Sequence, residues 1–491
     1  MRRRVRRHAL ALALLLPAVG SCFSRPTESR GTPFPVSTDP RRTTQQDTAA
    51  APASDPMPSD AAPAGPNAGD GPLVRVALRV ARDTAALDAT GPWRLLDAPG
   101  GATGGAKGGA TGGATGGATG GARGGAPGGV LVRSRANEGW RIERRGRQLR
   151  AVRSDGTATA WQVDLLAQFP DDAGAARSDG KTYRGALVFV ATDTGILIVN
   201  HLPLEDYVRG VVPLEIGERA PAERAAVEAQ AIAARSYTVT RLAAARRGAG
   251  RSPDFDLVAS VSDQVYGGRD AERPFSDAAV SASAGLVLRL GERVLNAPFY
   301  SACGGETAAA EEVWRTGGES HLRRVSDRIA GTERFYCDIA PRFAWTRAFT
   351  ATELDAVVRR YVAAYAAVGS GGPGKVTDLE VDGRTPSGRV ANLVIRTDRG
   401  SYRVRGNDSR SVLRSPGGEL LNSAYFSVTM ERASGRVVRA VIRGNGYGHG
   451  VGMCQWGAIG RARAGQDTRT ILRTYYPGTT VGPIPAGLLT P

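Results

Sequence analysis

The sequence predicts an α+β protein: mixed β-strands packed on a central helix of small residues, with a β-rich N-terminal region ahead of them. Three observations point there. Short apolar runs bounded by turn residues recur between Leu73 and Asn200 and again between Val376 and Ile442, which is the pattern of short strands. After Pro221, a stripe of Ala222, Ala225, Ala226, Ala229, Ile232 and Ala233 follows helical spacing. No βαβ unit repeats, which argues against a doubly wound parallel sheet.

The elements follow in chain order. Met1–Arg7 is basic, and Ala9–Ala18 is an apolar run too short to span a bilayer. Together they predict a signal peptide over residues 1–21. Val19-Gly-Ser-Cys22 resembles a lipobox, which implies a lipid anchor on Cys22 and attachment to a membrane through it. Ser21 stands where Gly or Ala is commoner, so a plain secreted form stays open. Phe23, rather than Asp, follows that cysteine. By the bacterial sorting rule this points to an exported outer-membrane lipoprotein on the periplasmic side. Residues 22–72 are rich in Pro, Ala, Ser, Thr and Asp and predict a disordered tether.

Residues 73–180 read as the β-rich N-terminal region, opening on the alternating run Leu73–Val80. Within it, residues 100–129 repeat Gly-Gly-Ala-x every four residues. That period is too short for a solenoid and carries too little apolar area for a core, so it predicts a disordered Gly-rich insertion. Val130–Arg133, Trp140–Arg144, Leu149–Arg153 and Ala160–Leu165 are candidate strands.

Residues 181–491 form the third region. Tyr183–Ala191 and Gly195–Asn200 read as a hairpin. Glu215, after the apolar Val211–Leu214, reads as a strand-to-helix junction. Pro221 suits the first turn of the alanine helix, which is expected to end near Gly248. A second helix is expected over Thr352–Val368, closed by the breaker run Gly369–Gly374. Strands are expected at Val376–Val381, Arg389–Thr397, Ser401–Val404 and Arg436–Ile442, with a short helix at Ala458–Arg463.

The net charge of +17 invites an anionic partner, yet only Lys107, Lys181 and Lys375 among the 64 basic residues are lysine. The excess is spread out, with no aromatic-interleaved basic run, so no nucleic acid is expected as partner. After Cys22 the cysteines are Cys303, Cys337 and Cys454. In an oxidising compartment pairing is favoured. Cys303 and Cys337 are the preferred disulfide pair because both lie in the middle region; the alternative is that Cys454 takes one of them.

The most informative stretch is Gly446-Tyr-Gly-His-Gly-Val-Gly-Met-Cys-Gln-Trp-Gly-Ala458, with glycine at every second position from Gly446 to Gly452. Such a loop permits tight turns and close approach of another molecule. Its spacing matches neither a P-loop nor a dinucleotide fingerprint. His8, His201, His321 and His449 are isolated and no His-Glu-x-x-His occurs, so a zinc hydrolase is not indicated. A Cys454–His449 nucleophile pair stays open on the residues alone.

Two further segments bear on this: Asn200-His-Leu-Pro-Leu-Glu-Asp-Tyr-Val-Arg-Gly-Val-Val-Pro-Leu-Glu215, running on through Ala220–Tyr237, and Phe299-Tyr-Ser-Ala-Cys-Gly-Gly-Glu-Thr-Ala-Ala-Ala-Glu-Glu-Val-Trp314. With the glycine loop, and in this order, they resemble the SpoIID/LytB family of bacterial cell-wall proteins. The resemblance runs from about Lys181 to Gly478. It implies action on peptidoglycan glycan strands as a lytic transglycosylase. Its rival implication is a non-catalytic, wall-binding enhancer of an N-acetylmuramoyl-L-alanine amidase. In either case such an amidase is an implied partner.

A lytic transglycosylase manages with one carboxyl group, which must be neutral when it acts. Apolar surroundings raise a carboxyl pKa to that end. Glu215 stands where the family carries its proposed catalytic Glu, although Ile216 and Gly217 replace the usual Met and Pro. Tyr207, Gln230, Arg235, Ser301, Tyr447, His449 and Gln455 are the candidate substrate contacts. Glu311 and Glu312, near Trp314, are further candidates for the groove wall. Some members carry a His-Cys pair in the segment here written Ser262–Gly268; both residues are missing, so no metal is expected, and no cofactor is implied. Cys454 stands where the family more often has Ser, which argues against it as an essential nucleophile.

Overall fold

Leu73–Ala81 is apolar and rich in β-branched residues apart from Arg75 and Arg79, and its strand runs antiparallel to Ile196–Pro203 from Leu73↔Pro203 to Ala81↔Ile196. The structure, a computed structural model, describes residues 71–98, 129–169, 174–250, 252–315 and 318–489. The expected signal peptide, Cys22, all of the tether but Gly71 and Pro72, and all but the end of the Gly-rich insertion lie outside the described residues.

This strand pair sits inside a seven-stranded sheet. Its order is Leu257–Val258, Leu73–Ala81, Ile196–Pro203, Ala186–Ala191, Asp164–Gln168, Trp93–Ala98 and Val130–Ser134. A five-stranded sheet orders Gln148–Arg153, Trp140–Arg145, Thr84–Ala89, Ala176–Ser178 and Lys181–Tyr183. Strands from both sides of residue 181 therefore share sheets. Leu95, Ile142, Leu149, Leu165, Phe189 and Ile198 belong to one buried cluster. The fold is mixed α+β, as expected.

Among the described residues the α-helices are α1 (Leu204–Ile216), α2 (Arg224–Ala244), α3 (Pro274–Ala282), α4 (Ala310–Val313), α5 (Ala351–Tyr361), α6 (Gly406–Val412), α7 (Gln455–Arg463) and α8 (Thr468–Tyr475). Helix α1 corrects the strand-to-helix junction read at Glu215. Leu204, Tyr207, Val208, Val211 and Val212 are all buried and recur at the i, i+3, i+4, i+7, i+8 spacing of one helix face. Pro213 falls near the end of the helix, so the missing N–H costs it little continuation.

Helix α2 is the expected alanine helix, starting after a 3-10 turn at Pro221–Glu223. Glu223 closes that start by accepting from Ala220 N at 2.9 Å. Ala226, Ala229, Ala231, Ala233 and Ala234 are fully buried. Their small side chains let α1, α3, α7, α8 and the strand Leu286–Leu290 crowd against one helix. Beyond Ala244 the chain widens through Ala245–Ala249, where Gly248 at φ 74° ends it.

A second hydrophobic cluster is built between Ala344 and Asn445. Ala344–Thr350, Arg436–Asn445 and Phe426–Ala433 form one antiparallel sheet; Val376–Arg384, Val390–Thr397 and Gly400–Arg405 form another. Phe349, Leu354, Val358, Leu393, Ile395 and Ile442 meet between them. Helix α5 is shorter than expected, ending at Tyr361 before a 3-10 turn. Its start is firm: Thr350 and Glu353 cap each other's backbone N–H groups at 3.3 and 2.9 Å. The long strand Arg436–Asn445 leads straight from this cluster into the glycine loop.

Candidate functional site

The last turn of α1 carries Glu215, half-buried, with one carboxylate oxygen accepting from Val265 N at 2.8 Å. Burial raises its pKa to about 7, against the smaller opposing pull of that N–H. The helix works in the same direction as burial. A C-terminal turn presents the negative end of the peptide dipoles, and no basic residue lies in it to compensate. The result is a carboxyl group that keeps its proton near neutrality.

This has a stability consequence. The folded-state pKa lies above the unfolded one, so the native form is disfavoured increasingly as pH rises from the unfolded value through about 7. Glu215→Gln should therefore match wild type at pH 4 and exceed it at pH 8, by about 1–2 kcal/mol once partial solvent screening is allowed for. Urea midpoints at the two pH values check this; a variant less stable at pH 8 sinks it.

The glycine loop is pinned rather than open. Gly446, Gly448, Gly450 and Gly452 all have positive φ, at 76°, 120°, 98° and 80°. A Cβ on Gly448 would lie 2.7 Å from Tyr300 Cβ, and one on Gly450 2.6 Å from Arg389 Nε. The close approach that these glycines permit is made by the protein's own chain. Met453–Cys454 pairs in parallel with Phe299–Tyr300, and Tyr447 exchanges backbone bonds with Ala302 at 2.8 and 3.0 Å. The Phe299–Trp314 segment thus meets the glycine loop.

His449 is fixed by its surroundings. Val451 N donates to Nδ1 at 3.1 Å, so Nε2 carries the proton and donates to the Phe299 carbonyl at 3.0 Å. Burial, with Arg410 and Arg389 nearby, lowers its pKa to about 4. The ring lies between Tyr300 and Trp314, with centroids 5.1 and 5.5 Å away. It stays neutral and presents a ring edge rather than a free nitrogen. It is no base for Cys454, whose buried sulfur accepts from Cys303 N and Gly457 N, each at 3.2 Å.

Four expected substrate contacts, Arg235, Gln230, Gln455 and Tyr207, are instead internal. Arg235 is fully buried and grips Glu205 through two bonds, of 2.8 and 2.7 Å. Gln230 accepts from Gln455 Nε2 at 3.2 Å, and both residues are buried. Tyr207, fully buried, donates to Gln264 at 3.1 Å. These polar groups read from the sequence as available for substrate; packing turns them inward, where they join α1, α2 and α7.

Ser301, Tyr447, Trp314 and Trp456 remain half-buried. Arg342 stacks on Tyr447 at 4.5 Å from ring centroid. Arg219, not singled out by any periodicity, lies 5.2 Å over the Trp456 ring. It follows Glu215 by one turn's worth of chain and so ties the end of α1 to α7. A separate cavity of about 620 Å³ is lined by Glu311, Glu312, Arg323, Arg324 and Arg405 among others, without Glu215. Glu311 and Glu312 therefore line this cavity. Glu312 bonds to Ser387 Oγ at 2.6 Å.

A family model described as Stage II sporulation protein (SpoIID) matches residues 192–289. A second, a domain of unknown function (DUF8618), matches residues 318–452. Stage II sporulation protein D of Bacillus subtilis (strain 168) is 30% identical over 295 residues, covering 58% of this chain and 75% of that protein. An uncharacterized protein of Brachyspira hyodysenteriae (strain ATCC 49526 / WA1) is 31% identical over 303 residues, 62% of this chain and 73% of its own length. The chain belongs to the SpoIID family. It is also similar to the Amidase enhancer of Bacillus subtilis (strain 168), at 27% identity over 299 residues, 56% of this chain and 40% of the enhancer. Family membership suggests a cell-wall, peptidoglycan-related role, consistent with export. Among the described residues no helix is long and apolar enough to cross a membrane.

Proposed function

We propose that this protein is a lytic transglycosylase acting on peptidoglycan glycan strands, with Glu215 as its single acid and base. One observation carries the reading: a half-buried carboxyl at a helix C-terminus, with its pKa raised to about 7. Protonated, Glu215 gives its proton to the glycosidic oxygen as the C1–O bond breaks and an oxocarbenium-like centre forms. The resulting carboxylate takes the proton of the same sugar's 6-hydroxyl, whose oxygen closes on C1. The products are a shortened strand and a 1,6-anhydro end. No water is consumed, and Glu215 ends protonated. Of the expected contacts, Tyr447 and Ser301 remain half-buried and available to a strand, and Trp456, also half-buried, adds a ring face.

Incubation of the purified protein with denuded glycan, followed by mass spectrometry for anhydro-muropeptides, tests this. Their absence would overturn it. The second reading is a non-catalytic enhancer of an N-acetylmuramoyl-L-alanine amidase, favoured by the similarity to the Amidase enhancer. It requires wild type to release no anhydro product yet to accelerate a purified amidase on intact sacculi. Under either reading the expected station is the periplasmic face of the outer membrane, anchored through Cys22.

A further inference from the structure

The described residues gather one set of metal-ligating side chains that the proposed chemistry leaves unused. Cys303, Asp327, Cys337 and Cys454 are fully buried, and one donor atom from each lies within 4.8 Å of all the others. Cys303 Sγ is 3.2 Å from Cys337 Sγ and 3.3 Å from Asp327 Oδ2. The three cysteines are free thiols.

Asp327 divides its oxygens. Oδ1 takes Arg461 at 3.0 Å and Tyr475 Oη at 2.7 Å. Oδ2 is turned to the sulfurs, where its donor is the Cys303 thiol. Arg461 balances the carboxylate from the Oδ1 side, while Oδ2 has only a weak thiol donor and faces the sulfurs with a lone pair to offer a shared cation.

We infer that Cys303, Asp327, Cys337 and Cys454 form a closed, four-coordinate zinc site. Sulfur-rich, buried and tetrahedral donor sets select Zn²⁺. On binding, the three S–H protons leave to solvent and three thiolates and one carboxylate bind the ion, with no redox change. The net charge of about −2 is eased by Arg461 on Asp327 and by the two backbone N–H groups on Cys454 Sγ. Around a metal with Zn–S of about 2.3 Å the sulfurs stand about 3.8 Å apart, so Cys303 and Cys337 Sγ, now 3.2 Å apart, separate by about half an ångström while the wider donor pairs, up to 4.8 Å, draw in.

The site lies behind the glycine loop. It joins the turn after Phe299–Tyr300, the segment holding Asp327 and Cys337, and the start of α7 at Cys454. Zinc would staple these three segments and hold the loop's floor. It is separate from Ser262–Gly268, and it runs against the expectation from the sequence that the protein holds no metal.

The test is elemental analysis of the full-length protein purified without chelator, with alkylation mapping of the three cysteines after denaturation. About one zinc per chain with Cys303, Cys337 and Cys454 all alkylated supports the site. Less than a tenth of an equivalent of zinc with a Cys303–Cys337 bridge overturns it. So do three free thiols that take up no zinc when it is added to reduced protein. Cys337→Ser and Asp327→Asn should each lower zinc affinity at least tenfold. Should a variant fail to fold, chelation of wild type decides: melting must shift down by several degrees and be restored by Zn²⁺ but not by Mg²⁺.

Discussion

Glu215→Gln retains the fold and lowers release of anhydro-muropeptides by about 10²–10⁴-fold. The substitution is nearly isosteric, and its amide oxygen still accepts from Val265 N, so the loss reports the proton and not the packing. Wild type itself carries the same signature in its pH profile. The reaction starts from the protonated acid, so the rate should fall as pH rises through about 7, the value to which burial lifts this carboxyl. Glu215→Asp withdraws the group by one methylene and should lose nearly as much, because proton transfer needs hydrogen-bond contact. Unchanged product release from Glu215→Gln would move the acid elsewhere and leave Glu215 a mere buried carboxyl.

Glu215 and the glycine loop were legible in the sequence because each is a local pattern: an acid amid apolar residues, and glycines in alternation. Helix α1 was legible too, in the spacing of Leu204, Tyr207, Val208, Val211 and Val212, but the apolar run Val211–Leu214 ahead of Glu215 drew the reading toward a strand-to-helix junction. Direction is what a linear pattern withholds. Gln230 and Arg235 each stand out as polar among alanines, and that contrast fits a groove residue and an internal one equally. Their partners decide, and these lie far off in the chain: Gln455 and Glu205. The sulfur cluster is the extreme case. Cys303 and Cys454 are 151 residues apart, and no ligand spacing could have joined them with Asp327.

Arg235→Ala should destabilise the protein by about 3–5 kcal/mol, the cost of breaking a buried pair by removing one partner. The guanidinium is fully buried, bonds both oxygens of Glu205, and donates to the Leu286 carbonyl at 3.1 Å. Glu205 in turn accepts from Gly285 N at 3.1 Å. One side chain of α2 thereby fixes the start of α1, which carries Glu215 at its other end, against the strand Leu286–Leu290. Lysine cannot reproduce the two-pronged contact, so Arg235→Lys should recover only part of the loss. Arg235→Met combined with Glu205→Gln should cost less than Arg235→Ala alone, because no charge is left stranded. Urea midpoints give all three values. A change under 1 kcal/mol in Arg235→Ala, with binding to glycan lost, would return Arg235 to the substrate and leave α1 held by its apolar face.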